Sequence, residues 1–199
     1  MPSFISNYCI IRDHTISDSS GVLFSKPASL DDFLVSAYEW TKAGYPKFYK
    51  MDNLSKLGFL AAEVLLRTKN LKEHPESAAL VLSNAHSSLD TDVKYFESLK
   101  TIASPALFVY TLPNIVSGEI CIRHGIKGEN AFFISEVFDP LTLTEYVDMV
   151  LSQSKTDICV AGWVDVMDEH HDVFLYLAEN RKSGNSLEHS VKVLADLYK

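Results

Sequence analysis

A chain of 199 residues that is 47% hydrophobic and 22% charged has the composition of an ordinary folded protein, with enough length to bury one sizeable core. That balance excludes disorder, and no apolar run reaches the length a membrane span requires. A formal net charge of −8 repels phosphate backbones and excludes nucleic acid as the main partner, while docking of an acidic protein would need a local basic patch that the net charge hides.

The start, Met1 to Asn7, has neither the basic region nor the apolar stretch of a signal peptide, so the cytoplasm is the expected compartment. Cys9, Cys121 and Cys159 are far apart, odd in number and each flanked by apolar residues. Without a CxxC or paired spacing they read as three reduced, buried thiols, not as a disulfide framework or zinc knuckle.

No internal repeat or long linker divides the chain, which reads as one domain over 1–199. Asn7 to Ile11 reads as a short strand. Ser29 can cap a helix that has Asp31 and Asp32 in its first turn and Leu30, Phe33, Leu34, Ala37 and Tyr38 on one face. A second helix, from about Asp52 to Thr68, is apolar nearly all round and therefore buried, with Gly58 and Ala62 spaced to admit another backbone. Ala78 to Leu82 is the uninterrupted apolar run of a strand covered on both faces. Asp92 to Lys100 is helical; Pro113 opens a helix that runs through Ile122 and stops before Gly125. Asn130 to Ser135 reads as a strand, Leu141 to Gln153 as an amphipathic helix, and Asp157 to Gly162 and Asp172 to Leu177 as strands. Ser186 caps a last helix carrying Leu187, Val191, Leu194 and Leu197. Strands alternating with helices give an α/β class, a layered α/β/α sandwich with a largely parallel mixed sheet.

The run from Ser104-Pro105 through Pro113-Asn114, continuing by Gly118, Arg123 and Gly125 to Gly128-Glu129-Asn130, resembles the ketoacyl synthases of the thiolase-like superfamily. Met51-Asp52 upstream and Asp157-Ile158-Cys159-Val160-Ala161-Gly162 downstream extend the similarity, in consistent order, over roughly residues 50 to 165. The resemblance implies a thiolase-like half and an activity of the 3-oxoacyl-[acyl-carrier-protein] synthase kind. It also places the nucleophilic cysteine of the family at Val137, flanked by Glu136 and Phe138, none of which is a thiol. Ser135 is a weak nucleophile without a base and reads as ordinary strand polarity. The family's second half, with its decarboxylating histidines, is not present in this sequence.

The resemblance therefore implies a non-catalytic partner subunit, like a chain length factor, for an active ketoacyl synthase in fatty acid, polyketide or aryl polyene-type biosynthesis. It implies a homodimer or heterodimer joined through Phe132, Phe133 and Ile134, where family members pair a strand with its twin. An acyl carrier protein is a second implied partner. The alternatives are a module that holds an acyl chain or its carrier, and one half of a split condensing enzyme.

Elsewhere the sequence offers little chemistry. Asp168-Glu169-His170-His171-Asp172 is the densest polar cluster, but adjacent histidines point different ways and the run falls between two strands, where a solvated loop is expected, not a metal site. His124 reads as a partner of a helix C-terminus, Asp165 as a cap at a sheet end, and Glu129 and Glu136 as unrelated acids. No GxGxxG, Walker loop, HExxH or GxSxG occurs, and no cofactor is expected.

Overall fold

The layering follows from strands that bury both faces. In the computed structural model, which describes residues 2–153 and 155–199, strand β6 (Ile158–Met167) sends Val160, Val164 and Val166 into one apolar cluster and Cys159, Ala161 and Trp163 into another. Side chains alternate along a strand, so one without a polar face needs a cover on each side. The same division holds for β4 (Ala78–Asn84), buried from end to end, and for β7 (His170–Glu179).

One sheet results, in the order β3 (Gly21–Ser25), β2 (Thr15–Asp18), β1 (Phe4–Arg12), β7, β6, β4, β5 (Asn130–Ile134), with a two-residue β8 (Leu187–Glu188) beside β1. The sheet is mixed, as expected. Its parallel part is β6-β4-β5, where crossover helices intervene, and its antiparallel part is the β3-β2-β1-β7-β6 half. Helices α1 (Leu30–Thr41), α2 (Asn53–Leu65) and α5 (Ile115–His124) cover one face; α6 (Pro140–Leu151) and α7 (Val191–Tyr198) cover the other.

Helix α2 is central. Asp52 caps it, accepting from the Ser55 amide at 2.9 Å, and its own carboxylate takes the Thr91 hydroxyl at 2.8 Å. Gly58 does what its spacing suggested: a Cβ there would lie 2.4 Å from Val116 Cγ2 of α5. Helix α5 closes on Gly125 in the left-handed conformation, as read.

Three readings are corrected. The segment after Ile11 forms a meander, β1-β2-β3, whose first turn uses Asp13 and His14 at positive φ in place of glycine. The last helix is capped by Ser190, not Ser186; Leu187 is an exposed strand residue paired with Ile5. Pro113 sits in the turn before α5, with Asn114 at its N-cap, and a short helix α4 (Pro105–Val109) precedes it, capped by Ser104. Among the described residues no helix is long and apolar enough to cross a membrane.

Candidate functional site at the carboxyl ends of β4 and β5

The chain leaves β4 toward the α5 face and leaves β5 toward the α6 face. In a parallel sheet, strands whose exits diverge in this way open a crevice beyond their carboxyl ends, where ligands bind. Here the crevice is small, about 110 Å³, lined by Ser83, Phe133, Ile134, Ser135, Asp139, Thr142 and Leu143.

Its first wall is the end of β4 at Ser83, from which the next loop departs. The buried Asn84 side chain donates to the Ser87 carbonyl at 2.8 Å and accepts from the Ser87 amide at 3.0 Å, holding Ser87 at positive φ. Asp165, at the end of β6, accepts from the Ala85 and His86 amides at 3.1 and 3.0 Å, and His86 Nδ1 lies 2.8 Å from its second oxygen. Asp165 is thus the sheet-end cap expected of it, and it also fixes an imidazole that sequence reasoning passed over.

The second wall is the loop after β5, where the sequence resemblance leads us to expect the nucleophile position at Val137. The Ser135 amide extends the ladder to Asn84, and its hydroxyl is committed to the Val137 carbonyl at 2.9 Å, with no base beside it. Val137 is 67% exposed and Glu136 points to solvent. Phe138 is the anchor: it stacks on Tyr198 of α7, with ring centroids 4.1 Å apart, and meets Trp163 and Phe174 edge-on. Asp139 then caps α6, accepting from the Leu141 and Thr142 amides at 3.0 and 3.2 Å and from the Thr142 hydroxyl at 2.6 Å. Those bonds, the Thr142 hydroxyl first, hold its carboxyl below the usual range. The amides that would greet a thiolate or oxyanion at this helix start are therefore already occupied by a fixed negative charge.

None of the three thiols lines this crevice. Cys9 in β1 and Cys159 in β6 are fully buried, and Cys121 lies in the middle of α5. Burial raises all three, Cys121 to about 11 and the other two further, so none is a thiolate at neutral pH.

The remaining motif residues sit on the path into β5. Gly128 presses on the start of β4, where a Cβ would lie 2.4 Å from the Ala78 carbonyl oxygen, and the Asn130 side chain donates to Cys121 Sγ at 3.3 Å. Phe132 packs into the α5-side core and Phe133 into the α6-side core, edge-on to Tyr146 at 4.9 Å, while Ile134 is exposed. Strand β5 is the last of the sheet, and no described strand pairs with its outer edge.

Around α3, which packs on α4 and β6, the surface is apolar in a way the sequence did not suggest. Helix α3 (Leu89–Ser98) buries Asp90 and Thr91 and turns Leu89, Val93 and Phe96 outward. Leu99, Ile102 (84% exposed), Phe108 and Leu112 continue the exposure through α4. On α5, Ile122 is exposed and Gly118 faces open space. The 89–93–96 spacing was legible, but it is normally the signature of an inward face.

The Asp168–Asp172 run is a solvated turn only at its start, with Asp168, Glu169 and His170 exposed. Asp168 and Glu169 make a tight turn, and His170 to Asp172 belong to β7. Glu169 accepts from the Leu30 amide at 2.8 Å, His171 Nε2 accepts from the His14 amide at 3.2 Å, and Asp172 binds Arg12 at 2.6 Å and the Tyr198 hydroxyl. Among the described residues no three His, Cys, Asp or Glu side chains are grouped to hold a metal ion. His124 carries no charge for the helix end, since burial lowers it to about 4.

No family model and no curated protein matches the sequence. Solved structures do match. The chain is similar to the ishigamide ketosynthase/chain length factor, with a TM-score of 0.67 and 15% identity over 93% of this chain and 64% of that one. It is similar to a ketosynthase (ApeO) in complex with its chain length factor (ApeC) from Xenorhabdus doucetiae, with a TM-score of 0.61 and 12% identity over 92% and 81%. A beta-ketoacyl synthase from Burkholderia phymatum STM815 gives 0.60 and 8% over 100% and 61%. The chain thus spans 64% of the ishigamide chain's length. What these likenesses establish is the fold, which is the ketoacyl synthase-like, thiolase-type α/β fold.

Proposed function

We propose that the chain is a non-catalytic ketoacyl synthase homologue that acts as the partner subunit of an active condensing enzyme, in the manner of a chain length factor. The observation that carries this reading is helix α3, which buries Asp90 and Thr91 and presents Leu89, Val93 and Phe96 outward, interleaved with the exposed Lys94 and Glu97. Covering Phe96, Ile102 and Phe108 alone would contribute roughly 5–9 kcal/mol, on the scale of the about 4–15 kcal/mol that association costs. The open edge of β5, through Phe132, Phe133 and Ile134, supplies backbone groups for a neighbouring strand.

The chemistry of the crevice supports the non-catalytic half of the reading. The sequence resemblance assigns the nucleophile position to Val137, which is no thiol, and Asp139 takes the Leu141 and Thr142 amides behind it. Two of the similar structures are, by their titles, ketosynthases with chain length factors. Fatty acid, polyketide and aryl polyene-type biosynthesis are the settings in which such a subunit would serve, and an acyl carrier protein would be a further partner of the complex.

Co-expression with a ketosynthase from the same organism, followed by size exclusion, tests the proposal. The two chains are expected to elute together and to separate when Phe96→Ser and Ile134→Lys are introduced. Separate elution of the native pair, or condensation of acyl groups by this chain alone, would overturn it.

A further inference from the structure

A groove at the other end of the molecule is lined by cations, on a chain whose net charge is −8. Helices α1, α2 and α5 end there together, near the amino ends of β4 and β5: the Lys127 amide donates to the Pro75 carbonyl and the Gly128 amide to that of Ala78. Two adjoining cavities of about 500 and 290 Å³ share Glu63, Arg67 and Arg123. Between them they are lined by Lys42, Arg67, Lys69, Lys72 and Arg123, five of the chain's 18 Lys and Arg, against the single carboxylate of Glu63.

Three of these cations answer carboxylates. Arg123 grips both oxygens of Glu63 at 2.6 and 3.0 Å, Arg67 meets Asp18 at 2.7 Å, and Lys69 meets Glu179 at 2.7 Å. Lys42 and Lys72 have no carboxylate partner among the described residues. They lie in different cavities, on either side of the shared Arg67, which remains half exposed beyond its one bond to Asp18. Nor are the lysines needed to finish the helices. The α1, α2 and α5 ends are closed by backbone bonds from Lys42, Leu66 and Gly125 to Glu39, Ala62 and Cys121. A concave site with two uncommitted cations suits a small ligand better than the convex face of a protein.

We propose that this groove binds a small anion with two separated phosphate or carboxylate groups, one met by Lys42 and the other by Lys72, with Arg67 between them. Trp40, 37% exposed and backed by Phe24 at 5.4 Å, lines the larger cavity and offers a flat apolar wall for the rest of the ligand. The site is independent of the partner surface on α3 and β5, so it stands or falls apart from the proposed function.

Calorimetric titration of the full chain at low ionic strength, with inorganic pyrophosphate in one arm and citrate in the other, tests this. One-to-one saturable binding is expected in at least one arm, and the arm that binds identifies the anion. The affinity should drop about tenfold or more in Lys42→Gln/Lys72→Gln and fall as salt is raised. Trp40 emission should change with binding, since the other tryptophan, Trp163, is buried. Glutamine keeps the Cγ of residue 72 that packs over Gly125, and neither lysine holds an ion pair, so the variant should melt like the native chain. If it melts early, Lys42→Gln alone is read by the same criterion. Absence of saturable binding in both arms, or equal affinity in the variant, overturns the site.

Discussion

At the scale of single residues, the crevice differs from a thiolate site in two ways, and substitution separates them. Val137→Cys introduces sulfur but leaves the Asp139 carboxylate on the Leu141 and Thr142 amides. Its thiol is expected to alkylate with iodoacetamide no faster than an ordinary exposed cysteine at pH 7, while Val137→Cys/Asp139→Ala, with the amides freed, should react faster. Loss of the cap itself costs about 0.5–2 kcal/mol, readable by thermal denaturation. A second residue-scale outcome concerns acid. Buried His124 takes its proton only near pH 4 in the native chain, against an ordinary value of 6.5, so its contribution to stability is full above pH 6.5 and is lost as the pH falls from there toward 4. The loss amounts to at most about 3 kcal/mol, and His171 and His189, also lowered first by burial, add to it with the same sign. Urea unfolding at pH 7 and pH 5 should show the decline, and His124→Gln should reduce it.

At the scale of elements, the glycines distinguish faces that are filled from faces that are open. Gly162 lies in the middle of β6 at φ 146, and a Cβ there would meet the Phe174 carbonyl oxygen at 1.9 Å, so Gly162→Ala should prevent stable folding, seen as loss of soluble protein. Gly118 is the opposite case. Nothing lies within 4 Å, so Gly118→Ala should raise the melting stability of the isolated chain by roughly 0.5–1 kcal/mol. The buried elements were legible because their signal is local: the all-apolar α2 and β4 can only be interior, and Ser29, Asp52 and Gly125 mark helix ends by their own chemistry. The misses were of another kind. The turn at Asp13-His14 takes positive φ without glycine or asparagine, so β2 had no hairpin signal. Leu187 is held in extended conformation by Ile5, 182 positions earlier, which no window around Ser186 can report. In α3 the periodicity was present but its direction was not, because Asp90 is drawn inward by the Asp168 amide and Thr91 by Asp52.

At the scale of the whole molecule, one sheet joins a half built by crossovers to a half built by a meander, and the outer strand β5 leaves the parallel half open. The resemblance to ketoacyl synthases located the fold correctly, and the chain closes tightly at Gly125 and Gly128, where an added Cβ would meet Lys72 and the Ala78 carbonyl. The resemblance could not locate the apolar flank, which depends on which way a short helix rolls, nor the cationic groove, whose lining residues come from three separate stretches of chain. Charge alone could not place it, because an acidic total is compatible with a basic hollow.

The outward roll of α3 also bears on how the chain survives after synthesis. Oily side chains displayed in a row are what chaperones hold and quality-control proteases seek, so copies made in excess of whatever covers Phe96 and Phe108 should be captured or degraded. Pulse-chase labelling should show a short half-life for the chain produced alone and a long one when its proposed ketosynthase is produced with it. Helix α3 would then act as a counter of stoichiometry, matching the number of subunits to the number of complexes.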